Sequence, residues 1–372
     1  MSAMNFLYGV LILGVLAAGV VIAGIRARNM HYWLGSFVRR ARPTPQPKTI
    51  VYVAVADHYE PYEGTKDSVA AYRRLQRWVD TYPVIAGAHR DSVGRHPCHT
   101  FFYPIEEYDP VVLDALADLT RRGFGDVDVH FHHDNDTAES LRASLLGFTK
   151  TLRERHGLLQ RQSETSGEIP YTFVHGNWAL DNSRPDGRWC GVDNEIKVLV
   201  ETGCKADFTM PSAPSDTQTR KINSIYFARG HDGCRKSHDT GRDVAVGGWG
   251  APDELLLVQG PLGLNWRRRK LGVIPKIENA EISADAPPTV ERVPLWFDLA
   301  PRVRGAERHV FIKLHTHGAQ DHTLEALLGG GLSTMWSELE RRYARSPDHE
   351  LRYVSCWEMY QVIRSLALGE AK

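Results

Sequence analysis

Hydrophobic positions follow two patterns along this chain. Residues 6–25 are apolar or small and carry no charge. An unbroken run of about 20 such residues is what a helix needs to cross a hydrocarbon core. Beyond residue 48 the pattern changes to short β-branched runs alternating with amphipathic stretches. Residues 49–56, 99–103, 127–131, 171–174, 206–210, 255–259 and 310–314 read as strands. Residues 67–79 read as a helix with Val69, Tyr72, Leu75, Trp78 and Val79 on one face. Further helices are predicted over 110–122, capped by Asp109 with Pro110 in the first turn, and over 137–155, 195–202, 324–344 and 357–368. The glycines at 329–331 either interrupt the 324–344 helix or push its start beyond them.

Strands alternating with helices imply parallel pairing. Seven or eight such units predict an α/β fold, a distorted (β/α)7–8 barrel with its site at the C-terminal ends of the strands. Residues 229–307 break the rhythm with many Gly and Pro and the basic run Arg267, Arg268, Arg269, Lys270. They read as loops and short strands inserted over the barrel mouth, the basic run being a solvated surface. The expected organisation is an anchor over 1–25, a basic juxtamembrane linker over 26–48 and one barrel domain over 49–368.

Charge refines this picture. Arg26, Arg28, Arg39, Arg40, Arg42 and Lys48 all follow the apolar run. No basic segment precedes that run, which favours an uncleaved anchor over a signal peptide. The positive-inside rule then puts the domain in the cytoplasm, attached to the inner (cytoplasmic) membrane by a single pass. Residues 31–38 have the aromatic and basic character of an interfacial segment, with a plain linker as the alternative. Lys+Arg and Asp+Glu balance at 45 each, so no global field attracts nucleic acid. The five cysteines form no CxxC pair, which suits free thiols in a reducing compartment better than a disulfide framework or a cysteine–zinc module.

Candidate chemistry gathers at three predicted strand ends. Asp128 to Asp136 carries His130, His132 and His133 with Asp128, Asp134 and Asp136; Leu314-His315-Thr316-His317 and Val55-Ala56-Asp57-His58-Tyr59-Glu60 are the others. Imidazole and carboxylate are the ligands of divalent transition metals: zinc first, with manganese, nickel, cobalt or iron also compatible. His132 and His133 cannot both face one site, because neighbouring strand residues point to opposite sides. Asp134 and Asp136 also suit the cap of the following helix. His231 and His238, inside the insertion, read as surface, and Trp178 and Trp249 as either core or sugar-stacking rings.

In motif order the chain resembles the polysaccharide deacetylase superfamily, the chitooligosaccharide-deacetylase-like, metal-dependent carbohydrate esterases, over about residues 49–366. The family's TFDDG strand end is matched by Asp57-His58, its ATFF strand by His99-Thr100-Phe101-Phe102, and its HxxxH motif by His130 to Asp134. Looser matches are Val174-His175-Gly176-Asn177-Trp178 and Ala206-Asp207-Phe208, and the family's final Leu-x-His strand end is matched by Leu314-His315-Thr316-His317. The chain departs from the family by having His58 in place of an aspartate ligand, Asp134 in place of a histidine, and His175 in place of an arginine. The resemblance implies Asp57 as base and His315 as acid, with His317 sharing that role. It implies a cation on His58, His130, Asp134 and His132, and substrate contacts from His175, Asn177, Trp178 and Asp207. The implied activity is hydrolysis of an N-acyl, in particular acetyl, amide on an amino sugar of a glycan or lipid-linked saccharide. Two other readings compete: a glycosidase on a related barrel, using Glu60 and Asp207 as its carboxylates, and a non-catalytic scaffold of a membrane glycan-assembly complex. The partners expected are thus a carbohydrate and the membrane.

Overall fold

The computed structural model describes residues 3–41, 44, 46–162 and 167–370. In chain order the helices are α1 Ala3–Ala27, α2 Leu34–Arg39, α3 Ser68–Ala86, α4 Pro110–Arg121, α5 Ala138–His156, α6 Glu195–Glu201, α7 Val293–Leu299, α8 Asp321–Ala326, α9 Leu332–Leu339 and α10 Cys356–Leu368. The strands are β1 Thr49–His58, β2 His99–Pro104, β3 Gly125–Phe131, β4 Tyr171–His175, β5 Cys204–Asp207, β6 Ile225–Ala228, β7 Arg242–Asp243, β8 Leu255–Val258, β9 Gly263–Lys270, β10 Ile274–Glu278, β11 Arg302–Val303, β12 Ala306–Thr316 and β13 His349–Tyr353.

Local chemistry sets the element ends. Asp109 accepts the Val111 N–H at 2.8 Å and starts α4, with Pro110 at the first position, where a missing N–H costs nothing. Thr137, rather than Asp134 or Asp136, caps α5 by accepting the Ser140 N–H. Ser355 and Glu358 form a capping box on α10. The strand expected over 206–210 ends at Asp207, because the Asp207 carboxylate takes both the N–H and the hydroxyl of Thr209 and turns the chain. The predicted helix over 324–344 is a run of α8, a wide turn over Leu327–Gly331, α9 and a second wide turn over Glu340–Ala344. Gly330 sits in that run at φ 123°, open only to glycine.

All of these strands but β9 and β10 form one large sheet in the order β11-β12-β1-β2-β3-β4-β5-β8-β6-β7, with β13 also on β1, and β9 and β10 pair only with each other. From β12 to β8 every pairing is parallel; β11, β6 and β7 join antiparallel at the ends. The two ends meet. The Arg304 N–H donates to the Val244 carbonyl at 3.0 Å and the Val246 N–H donates to the Arg304 carbonyl at 2.9 Å. The sheet therefore curls into a barrel-like α/β domain. Val51, Val53 and Val55 of β1 face the core shared with α3, α4 and α9. Ala54 and Ala56 face the interior, where they pack with Phe102, Val174, Phe311 and the apolar face of α10. Asp128 points inward too, ion-paired with Arg161 at 2.8 Å, and belongs to the body of the barrel rather than its mouth.

The segment 229–307 is more ordered than expected. It supplies β7, β8, the β9–β10 hairpin, α7 and β11. Part of it returns to the strand ends: the Ile282 N–H donates to the His315 carbonyl and the His315 N–H to the Ala280 carbonyl. His238, expected at the surface, is fully buried. Trp249 packs on Phe227 and Tyr360 at the interior core. Residues 30–37 are no loose linker: Trp33 is fully buried with Ala213 and Leu262, and Phe37 packs beside them.

Among the described residues no helix is long and apolar enough to cross a membrane. The anchor expected over residues 6–25 falls on α1, several of whose side chains lie outside the description. Arg42, in the basic flank, is outside the described residues too.

Lys313 lies wholly inside the barrel, its Nζ donating to the Phe208 carbonyl at 2.7 Å. Burial disfavours the ammonium and brings its pKa down from 10.5 to about 8. Between those values the unfolded chain binds more protons than the folded one, so this residue makes stability rise with pH across that window. Urea unfolding should show this rise between pH 8 and 10 in the wild type and a smaller rise in Lys313→Met. Equal slopes would mean that Lys313 titrates normally.

Candidate active site

Alternation along parallel strands decides which predicted residues meet. On β1, His58 continues the inward row of Ala54 and Ala56, whereas Asp57 joins the helix-facing row. Asp57 is fully buried there. It accepts from His99 Nε2 at 2.8 Å and from the Gly318 N–H at 2.6 Å, and Trp78 lies against the same glycine. A Cβ on residue 318 would fall 2.2 Å from Asp57 Oδ2, so this packing requires glycine. The base expected at Asp57 is thus on the wrong face of its strand, and its carboxylate ties β1 to the turn after β12.

The mouth is built by other groups. The His58 ring lies 4.7 Å from His317, 4.9 Å from His130, 6.3 Å from His315 and 5.9 Å from Trp178, between ring centroids. Glu60 sits among them. Its Oε1 is 2.8 Å from His130 Nε2 and 3.3 Å from His132 Nε2. His132 Nδ1 is 2.5 Å from Glu106 Oε1. Ligand atoms of His58, Glu60 and His317 converge within 4.8 Å, and so do those of Glu60, His130 and His132, so Glu60 is common to both groups.

Proton bookkeeping favours a cation here. His130 Nδ1 faces the Val174 carbonyl at 2.8 Å and must be the donor, so in the neutral ring Nε2 presents a lone pair to Glu60. Among the described residues, His58 Nε2 and His315 Nδ1 are buried without a hydrogen-bond partner. Burial holds the pKa of His58 and His315 well below the usual imidazole value, and that of His130 at about 3. Neutral imidazole is the form that ligates. Burial also pushes Glu60 up to about 7. A divalent cation would supply the positive charge that Glu60 and these lone pairs share.

At the rim, burial works against the imidazolium of His132, but its hydrogen bond with Glu106 and the charge of Glu60 overcome this and raise its pKa. For Glu106 burial is likewise opposed, by the hydrogen bond and charge of His132, and its pKa ends below the usual value. The side chains of His132 and Glu106 are 30% and 35% exposed against 6% for Glu60, so this pair is the part of the site that solvent reaches.

Other expected residues lie elsewhere. Asp134 is exposed and accepts the Trp189 N–H at 2.6 Å, outside both convergent groups, which corrects its expected place as a ligand. Asp207 is buried with both oxygens on Thr209 and outside the convergent groups at the mouth, which corrects its expected place as a substrate contact. His175 is fully buried behind β4, on the opposite side from the mouth, so it cannot contact a substrate there. Asn177 and Trp178 are half-buried just after β4, and the Trp178 ring is 5.6 Å from His317. Sequence reasoning missed Glu106. Its signal was the acidic pair Glu106-Glu107 directly after the β2 strand pattern, at the same end as the other clusters.

No family model matches the sequence, and no curated protein matches it. Among solved structures, the chain is similar to an alpha-mannosidase from Enterococcus faecalis, with 10% identity and a TM-score of 0.41 over 86% of this chain and 29% of that one. It is also similar to a GH57 branching enzyme from Thermococcus kodakaraensis, with 10% identity and a TM-score of 0.36 over 80% of this chain and 69% of that one. The chain thus spans under a third of the length of the mannosidase. The amide-cleaving deacetylase expected from motif order is corrected here on geometry: the base that activity required faces away from the mouth, its carboxylate held by His99 and the Gly318 N–H.

Removing the Asp57 carboxylate leaves His99 and the Gly318 N–H unpaired in the core. Asp57→Ala should therefore cost about 3 kcal/mol in urea unfolding, while the protein still binds cation at the mouth. Unchanged stability with lost cation binding would return Asp57 to the site.

Proposed function

We propose that the chain is a metal-dependent hydrolase that cleaves a glycosidic bond in a carbohydrate. The observation that carries this reading is the His132–Glu106 pair at the open rim beside the buried Glu60 centre. A departing sugar oxygen needs a proton, and the positive charge that develops at the anomeric carbon needs an adjacent carboxylate. His132, with its raised pKa, is the proton donor; Glu106, with its lowered pKa, is the ionised carboxylate. Glu60, His58 and His317, whose ligand atoms converge, would hold the cation, with His130 on the other side of Glu60, zinc being the first candidate for such a donor set. When bound, it supplies Lewis-acid polarisation of a ligated oxygen. Trp178 offers a half-exposed ring on which a sugar face can rest.

Chromogenic aryl glycosides test this. One or more should be cleaved, chelation should abolish the activity, and Glu106→Gln should lower kcat by about 100-fold or more with cation content unchanged. An unchanged kcat in Glu106→Gln would remove this residue from the mechanism, and failure to cleave any glycoside would remove the bond assignment.

A separate observation supports attachment to a membrane. Leu7, Ile12, Leu13, Val15, Leu16, Val20, Val21 and Ile22 of α1 are all more than half exposed, and basic Arg26 and Arg28 follow. Exposed apolar surface of this extent needs a cover, and lipid supplies one with the basic flank at the headgroups. In cell fractionation the full chain should sediment with membranes, and a chain starting at residue 29 should lose that association. Equal partitioning of both would reject the anchor.

A further inference from the structure

We infer that a second, closed metal site lies behind the mouth, where His133, His175, Cys190 and Glu195 hold one structural zinc ion. It shares no ligand with the Glu60 centre. All four residues are buried, and one ligand atom from each falls within 4.8 Å of the others. Glu195 is the hub. His133 Nε2 lies 3.2 Å from Oε1, while His175 Nε2 and Cys190 Sγ each lie 3.4 Å from Oε2. Zinc bond lengths of about 2.0 to 2.3 Å give a tetrahedron edges of about 3.3 to 3.7 Å, close to the three separations from Glu195, and the remaining ligand atoms lie within 4.8 Å of one another.

The surroundings match those of metal-bound imidazoles, which ligate through one nitrogen and lean on a carboxylate or carbonyl through the other. His133 turns Nδ1 to the Asp136 carboxylate at 3.3 Å, and His175 turns Nδ1 to the Gly176 carbonyl. That leaves His175 Nε2 aimed into the cluster, fully buried and with no hydrogen-bond partner among the described residues. The Glu195 carboxylate is itself fixed by the Asp181 N–H, 2.6 Å from Oε2. Backbone geometry brings the cysteine in: the Asp136 N–H donates to the Cys190 carbonyl at 3.0 Å. Gly191 sits at φ 92°, with space for a Cβ only 2.6 Å from the Asp136 nitrogen, so glycine is needed for that approach.

Charge and donor type select the ion. One thiolate, one carboxylate and two neutral imidazoles balance a 2+ charge, so the filled site is neutral and suits a dry interior. A thiolate among borderline nitrogen donors favours zinc over calcium or magnesium. With four protein ligands and no open position, the site is structural rather than catalytic. It would fasten the loop after β3, the end of β4 and the start of α6 together, beneath the rim that carries His132 and Trp178.

Cobalt reports the two sites separately, because only this one contains a sulfur ligand. Full-length protein is stripped with a chelator, reloaded with Co2+ and examined by absorption spectroscopy. The wild type should show a near-ultraviolet thiolate-to-cobalt charge-transfer band. Glu60→Gln, altered only at the mouth, should keep it. Cys190→Ala should lose it together with one equivalent of bound metal. If Cys190→Ala does not fold, the wild-type spectrum decides alone. A cobalt-loaded wild type without the band, or a Cys190→Ala protein with full metal content, would overturn the site. Neither result bears on whether the mouth cleaves glycosides.

Discussion

The parallel pairing of β1 between β12 and β2 is the constraint on which the rest depends. Ala56 pairs with His315, and Asp57 with Thr316 on one side and Phe101 on the other. In this register the inward rows of three neighbouring strands end level with one another. A slip of one residue would turn Asp57 into the mouth and send His58 into the helix layer. The apolar residues prevent that slip. Val51, Val53 and Val55 must face the helices, while Ala54 and Ala56 are small enough to leave room for Phe102 and Phe311 inside. The geometry of the candidate site is therefore a by-product of core packing further down the same strands.

The same alternation sorts the histidines that follow β3 into two groups. His130 and His132 turn inward, to Glu60; His133 turns outward, to His175 and Glu195. A dense run of imidazoles thus serves two compartments with different exposure. The inward group borders a rim that water reaches and where a proton can be exchanged. The outward group is sealed, and each of its polar atoms must find a partner among its neighbours or in an ion.

Closure of the barrel lets these groups be buried at all. The contacts of Arg304 with Val244 and Val246 join the sheet ends, and α10 fills the interior with Met359, Ile363 and Leu366. The β9–β10 hairpin and residues 30–37 form a small satellite core around Trp33, which fastens the segment after α1 to the domain. The interior still tolerates Lys313, fully buried there, because the Phe208 carbonyl accepts a hydrogen bond from its Nζ.

Much of the architecture was legible from the residues alone. Strand and helix periodicity located the parallel strands from β1 to β5, with β8 and β12, and also α3 to α6 and α10. Asp109 marks a helix start that depends only on near neighbours, which is why its signal survives in a single sequence. The histidine clusters at strand ends were visible for the same reason. Three things were not visible. Which of two adjacent residues faces the mouth depends on the register with strands far away in sequence, so Asp57 and Glu60 exchanged importance. Short antiparallel strands such as β6, β7 and β11 carry too few residues to show a period and exist because they close the barrel. The meeting of His133 and His175 with Cys190 and Glu195 spans more than sixty residues and joins donors from four segments. Sequence determines which side chains lie at strand ends, because that follows from local periodicity; only the folded sheet decides which of them share a compartment, because that follows from packing between distant segments.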